Sequence, residues 1–184
     1  DGERKIFVDS FQITGPLKVH HLPLPNSHKT ILFCGDPRGG YQPDCARQIL
    51  EQLLPRAYRR PVQTWEIESL LQLVAQADQN GDSFAHGIRL ALEAILVSPH
   101  FLFRIEQDSE SDNPNQPHEI NPYELAVRIS YFLWSSMPDD ELFRVAETGE
   151  LNDPKMRAAQ VHRMLDHPSS KALVENFAGQ WLQF

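Results

Sequence analysis

Asn121-Pro122-Tyr123-Glu124-Leu125-Ala126-Val127-Arg128-Ile129-Ser130-Tyr131-Phe132-Leu133-Trp134 is the stretch on which the fold class turns. Its first four residues spell a helix start: a capping side chain, a proline at the first helical position, and a glutamate three places after the cap. Leu125, Ile129 and Phe132 then line one face, and Tyr123, Val127, Tyr131 and Trp134 another. Glu124 and Arg128 stand four residues apart in the orientation that favours pairing. The same punctuation recurs downstream. Pro138-Asp139-Asp140 opens a helix carrying Leu142, Val145 and Ala146, and Gly149 closes it. Asp153-Pro154 opens another, with Ala158, Val161 and Leu165 on one face. Pro168-Ser169-Ser170 opens the last, with Leu173, Phe177, Trp181 and Phe184 at helical spacing. Much of the proline count of 14 is used in this way, as expected of a bundle of short helices.

Upstream of this stretch the period is also helical. Asp44 to Leu54 reads as a helix with Ile49, Leu50, Leu53 and Ala57 on one face. Pro55 is expected to kink or end it, since it lacks an N–H and crowds the preceding turn. Thr64 is read as the N-cap of the next helix, where Ile67, Leu70, Leu71 and Val74 follow i, i+3, i+4, i+7 spacing until Asn80-Gly81. A third begins near Asp82 or Ser83. Phe84, Ile88, Ala91, Leu92 and Ile95 form its face, widened by Leu90, Ala94 and Val97, until Ser98-Pro99 interrupts it. Residues 1–33 differ. Lys5 to Ile13 mixes β-branched and aromatic residues like a strand, and His28 to Phe33 is a weaker strand candidate. The expected architecture is mainly α: a bundle of about seven short helices with one or two N-terminal β-strands. The expected divisions are a β-strand remnant over 1–33, a first helical domain over 34–106, an exposed polar linker over 107–118 and a second helical domain over 119–184.

Composition narrows the function classes. The chain has 184 residues with 41% apolar and 23% charged residues, which is a globular composition. Its net charge of −8 argues against a nucleic-acid partner, which requires clustered Lys and Arg. No apolar run approaches the ~20 residues of a membrane span. No signal peptide is visible, but the chain begins at Asp1 and closes on Trp181-Leu182-Gln183-Phe184, and both ends read as cut ends. Cys34 and Cys45 are either free thiols or one disulfide. The turn-forming sequence between them favours a bridge in an oxidising compartment, while two sulfurs without a nearby histidine make only half a zinc site.

No strong catalytic or cofactor motif is present. The chain lacks C-x-x-C-H, so it has no covalent c-type haem site, and it lacks the P-loop, G-x-G-x-x-G, G-x-S-x-G and H-E-x-x-H. The candidate functional residues are therefore few. Ser98-Pro99-His100-Phe101-Leu102-Phe103-Arg104 sets a His and an Arg in an apolar stretch. His100 is either a proton-relaying or haem-facing group or a ring that caps a helix end. Arg59-Arg60-Pro61 either grips an anion or covers helix C-termini and pairs with acids. The acids of Met137-Pro138-Asp139-Asp140-Glu141 fit the dipole of a helix N-terminus better than a cation site. His20-His21 reads as a solvated loop pair. Tyr131, Phe132, Trp134, Phe177 and Trp181 are expected to pack in the core rather than form a sugar-stacking platform.

Two long stretches carry a resemblance. Ala57-Tyr58-Arg59-Arg60-Pro61-Val62 with the run from Gly87 to Arg104 resembles one planctomycete-type domain of unknown function. The run from Tyr123 to Leu142, with Phe177-Ala178-Gly179-Gln180-Trp181-Leu182, resembles the domain that follows it. The resemblance covers residues 43–184, in the expected order. It implies a large exported bacterial protein, periplasmic or otherwise in the cell envelope, in which these domains accompany cytochrome c domains and a carbohydrate-binding-like β-sandwich. Arg4 to Pro16 is similar to the closing strand of that sandwich. The resemblance also implies a disulfide between Cys34 and Cys45. Pro55 departs from the pattern, where an ordinary residue continues the helix. No cofactor is implied within this segment; haem c would sit elsewhere in the parent. The partners implied are the other domains of the same chain.

The leading expectation is a non-catalytic helical scaffold. The alternatives are part of the active site of a haem-linked oxidoreductase acting on an organic substrate such as a carbohydrate, and a carbohydrate- or partner-binding module. For the oxidoreductase reading the candidate residues are His100, Arg104 and Arg128.

Overall fold

A computed structural model describes residues 25–36, 40–41, 44–106 and 120–182. The described residues are mainly helical, with one two-stranded hairpin. Helix α1 is Asn26–Ile31, followed by strands β1 (Gly35–Asp36) and β2 (Gly40–Tyr41), which pair antiparallel with Gly35 opposite Tyr41 and Asp36 opposite Gly40. Helices α2 (Cys45–Tyr58), α3 (Thr64–Gln79), α4 (Phe84–Val97) and α5 (Pro99–Leu102) complete the first half. Helices α6 (Pro122–Trp134), α7 (Asp140–Glu147) and α8 (Pro154–Asp166) form most of the second. A π-helical turn, Leu173–Ala178, runs on into α9 (Gly179–Leu182).

The strand expected at His28 to Phe33 is a helix instead. Its backbone pairs locally, with the Leu32 N–H donating to the His28 carbonyl at 2.8 Å. A strand there would need a partner row. A single helical turn needs only Leu32 and Ile31 to reach the core, and both do. The strand expected over Lys5 to Ile13 and the linker over 107–118 lie outside the described residues. Cys34 and Cys45 are joined by a disulfide with Cα atoms 5.6 Å apart. Both are buried, and the bridge ties the hairpin to the start of α2.

Helix α2 does not stop at Pro55; it continues to Tyr58. The carbonyl of Glu51, four residues back, loses its partner, but Glu51 is exposed, so water can replace the lost bond. Continuation places Leu54 in the core and delivers Arg59 to the seam described below. Helix α3 is capped one residue earlier than expected. The Glu66 carboxylate accepts from the Gln63 N–H at 2.7 Å, and Thr64 is the first helical residue. The Asn80-Gly81 stop is where expected, with Gly81 at φ 80°. Ser83 caps α4 through the His86 N–H. Gly87 lets α4 approach α3 closely: a Cβ there would lie 3.0 Å from Val74 Cγ1 and 3.2 Å from its Cα.

Two clusters of buried side chains result. The first contains Ile49, Leu50, Leu54, Leu70, Ile88 and Ile95; the second contains Ala126, Leu133, Trp134, Leu142, Val145, Leu151 and Met164. Each fully buried Leu or Ile contributes about 1.5–3 kcal/mol relative to exposure. Helix α6 begins as its sequence dictates: the Asn121 side chain accepts from the Tyr123 and Glu124 N–H groups, and Glu124 accepts from the Asn121 N–H. Trp134 Nε1 donates to the Met164 carbonyl at 2.8 Å, which satisfies the indole inside the core. Asp139 caps α7 and takes two hydrogen bonds from Arg163, at 2.7 and 3.0 Å. That is the ordinary helix-start role expected for the Pro138 acidic run.

The aromatic residues divide in a way the sequence reading did not expect. Trp134 is buried, but Phe132, Phe177 and Trp181 are 55%, 49% and 73% exposed. Phe177 sits edge-on to Phe132 and stacks on Trp181, with centroids 5.5 and 6.0 Å apart. Their helical spacing does place them together, but nothing among the described residues covers that face. Phe184 lies outside the described residues.

Candidate functional site

The chemistry-bearing side chains gather at the seam between the two halves. Helix α2 is followed at its C-terminus by Arg59, whose backbone sits in the left-handed region at φ 57°. That conformation turns the side chain across to α5. A four-residue helix leaves its carbonyls without partners inside the helix. Arg59 Nη2 donates to the carbonyls of His100, Phe101 and Phe103 at 2.8, 2.9 and 3.0 Å. Its Nη1 donates to Tyr131 Oη at 3.3 Å, which reaches into α6 of the second half. Arg59 is buried, and a guanidinium placed at a helix C-terminus meets the negative end of the dipole.

Arg60 makes a bidentate pair with Glu66 at 2.8 and 3.0 Å. The Arg60 guanidinium, helped by the Gln63 N–H, holds the Glu66 carboxyl below the usual carboxylate value despite its burial. Both arginines of Arg59-Arg60 are therefore used as helix cover and as an acid partner, and neither is left to grip a ligand.

His100, on α5, packs its ring 5.2 Å from that of Tyr58. Among the described residues its ring makes no hydrogen bond. Arg104 stacks over Tyr131, 4.7 Å from the ring centroid, without a carboxylate partner among the described residues. Both line a cavity of about 80 Å³ bounded by Tyr58, Arg60, Phe103, Glu106, Tyr123 and Glu124. Arg128 does not line it. It faces a neighbouring open groove and forms a bidentate pair with Glu106. That contact raises the Arg128 pKa, with a smaller contribution from Glu124. Of the three residues singled out in sequence, the fold brings His100 and Arg104 to one cavity and gives Arg128 to an ion pair at its rim. The cavity is far smaller than the ~300–1,000 Å³ of pockets that enclose a whole small molecule.

Sequence reasoning missed Tyr58 and Tyr123 as members of this cavity. Tyr58 stands beside Arg59 in the motif quoted above, and Tyr123 was read only as a helix-face residue. Burial and then the charge of Glu147 raise the Tyr123 pKa. A broader groove of about 510 Å³ opens on the other side of Tyr123, between Pro55, Val62 and Phe143, and the Arg56–Asp140 ion pair crosses it. No group of three or more His, Cys, Asp or Glu among the described residues is placed to hold a metal ion. His20 and His21 lie outside them. No described helix is long and apolar enough to cross a membrane.

Residues 45–106 match a family model described as PSD5, protein of unknown function (DUF1595). Residues 120–184 match a second, described as PSD4, protein of unknown function (DUF1592). Neither a curated protein nor a solved structure matches the chain significantly. The seam lies where the two matched segments meet in space: Arg59, His100 and Arg104 belong to the first, and Tyr123, Arg128 and Tyr131 to the second. The chain thus carries two consecutive domains of unknown function, PSD5 and then PSD4.

Proposed function

We propose that these two helical domains, 34–106 and 119–184, form a scaffold within an exported multidomain protein. The scaffold would hold a cytochrome c domain and a β-sandwich domain of the same chain in fixed relation. One observation carries this reading. The most buried cation at the seam, Arg59, spends four hydrogen bonds on joining α2 to α5 and α6. The Cys34–Cys45 disulfide supports an oxidising, exported setting. The cytochrome partner rests on the resemblance of the Gly87 to Arg104 and Tyr123 to Leu142 stretches. Haem c would belong to that partner domain.

Deleting the two domains from the full-length parent tests the proposal. A scaffold predicts lost assembly or lower stability, with the haem spectrum and its reduction by small reductants unchanged. Loss of substrate-driven haem reduction in a deletion that still assembles would contradict it.

The second reading, part of an oxidoreductase site, draws on the shared cavity of His100 and Arg104. Substrate-dependent haem reduction at the wild-type rate in a His100→Ala variant would remove it. A carbohydrate- or partner-binding role loses Trp134 to the core and keeps Phe132, Phe177 and Trp181 as its surface.

A further inference from the structure

The side chains around the seam cavity fall into two sets. Arg59 and Arg60 are satisfied by carbonyls and by Glu66. Glu106 is paired with Arg128, and Glu124 accepts from the Asn121 N–H. The other set makes ring contacts but no hydrogen bond among the described residues. Among the described residues the Arg104 guanidinium has no hydrogen-bonded or carboxylate partner, and the Tyr58 hydroxyl, the Tyr123 hydroxyl and the His100 ring make no hydrogen bond. All four line the same cavity. None of the four is fully buried, so side chains that share one concavity without a protein partner are open to water or a ligand there. About 80 Å³ admits two or three waters at ~30 Å³ each, or one group the size of a carboxylate.

We propose that this cavity binds the carboxylate of a small organic acid. The Arg104 guanidinium is its ion-pair partner, and the Tyr58 and Tyr123 hydroxyls and the His100 ring are its hydrogen-bond donors. The charge arrangement favours an anion there. The two acidic groups on the wall are already engaged, while Arg104, which has no carboxylate partner among the described residues, stacks on the face of Tyr131. A guanidinium and a carboxylate match in geometry as well as charge. Because Arg104 comes from the first domain and Tyr123 from the second, the bound acid bridges the two. This site goes beyond the scaffold role and does not depend on it.

The test is an acetate titration of the full chain, followed by NMR of the His100 ring protons. The His100→Gln spectrum identifies those signals among the 8 histidines. Sodium chloride at equal ionic strength is the control. The expected result is a saturable shift with acetate and not with chloride, weakened about tenfold or more in Arg104→Gln. The Arg89→Gln variant, remote from the cavity, should bind as wild type does. Double substitution of Tyr58 and Tyr123 by Phe should weaken binding while leaving the charge intact. An identical response to chloride and acetate, no saturable shift, or unchanged binding in Arg104→Gln in a protein with a native far-UV spectrum would each overturn the proposal.

Discussion

Replacing Arg59 by alanine removes a single guanidinium and four hydrogen bonds. Three of these reach the carbonyls of His100, Phe101 and Phe103, and the fourth reaches Tyr131. A hydrogen bond to a charged group contributes ~1.5–3 kcal/mol, and a buried acceptor left unsatisfied costs ~1–3 kcal/mol. The carbonyls share one nitrogen and lie near half-exposed residues, so water can recover part of the loss. The expected destabilisation is then ~3–5 kcal/mol, a large fraction of the ~5–15 kcal/mol that holds a domain folded. For a chain of this size it lowers Tm by roughly 6–20 °C. Arg59 occupies the left-handed region, where a residue with a Cβ pays ~1–2 kcal/mol. Arg59→Gly therefore loses the same bonds but recovers backbone strain, and it should be more stable than Arg59→Ala by ~1 kcal/mol. Arg59→Lys keeps the charge but lacks the planar fork that spans α5 and Tyr131, and should fall between wild type and alanine. Urea unfolding followed by circular dichroism reads all three. If Arg59→Ala lies within ~0.5 kcal/mol of wild type, the size of a routine surface substitution, the seam argument is wrong.

Three other outcomes follow from the packing and charges. Burial alone would raise the Asp139 pKa, but the Arg163 pair and the Leu142 N–H outweigh it and leave it lowered; Glu66 is lowered by Arg60. Groups with depressed folded pKa values stabilise the protein above their unfolded pKa. The urea midpoint should therefore hold above about pH 5 and fall as the pH drops through the carboxylate range, and Asp139→Asn with Glu66→Gln should flatten that fall. Gly87→Ala gains ~1 kcal/mol of helix propensity but presses a methyl against the Val74 backbone, so calorimetry should show a net loss of ~1–2 kcal/mol. Replacing both Cys34 and Cys45 by serine should cost about 3 kcal/mol in denaturant titration, since the bridge closes a short loop across a sequence separation of 11.

What was legible in the sequence was local. The Asn121-Pro122-Tyr123-Glu124 start, the Asp153-Pro154 start and the Asn80-Gly81 stop each depend on residues within one turn, and each stands where expected. A helix end at Pro55 is not found because the proline's penalty is local while the reward for continuing is tertiary. The next turn carries Tyr58 and Arg59 to α5 and α6. His28 to Phe33 has strand-like composition, yet with Phe33 about half exposed, only one side of the segment meets the core. Arg59 and its three carbonyls are 41 to 44 residues apart in sequence, which no periodicity reveals. The spacing of Phe177 and Trp181 predicted a common face but carried no information about what lies against it. The cavity is the clearest case. His100 and Arg104 are close in sequence, but Tyr58 and Tyr123 reach them only because the two domains meet.

Native-state hydrogen exchange across a urea series tests the central claim, that the seam makes one unit of the two domains. Amides of α2 to α4 report on the first core and those of α6 to α8 on the second. Joined cores predict that the most protected amides of both converge on one opening free energy and one urea dependence, and that Arg59→Ala separates them. Two distinct opening free energies in the wild-type protein, unchanged by Arg59→Ala, would contradict it.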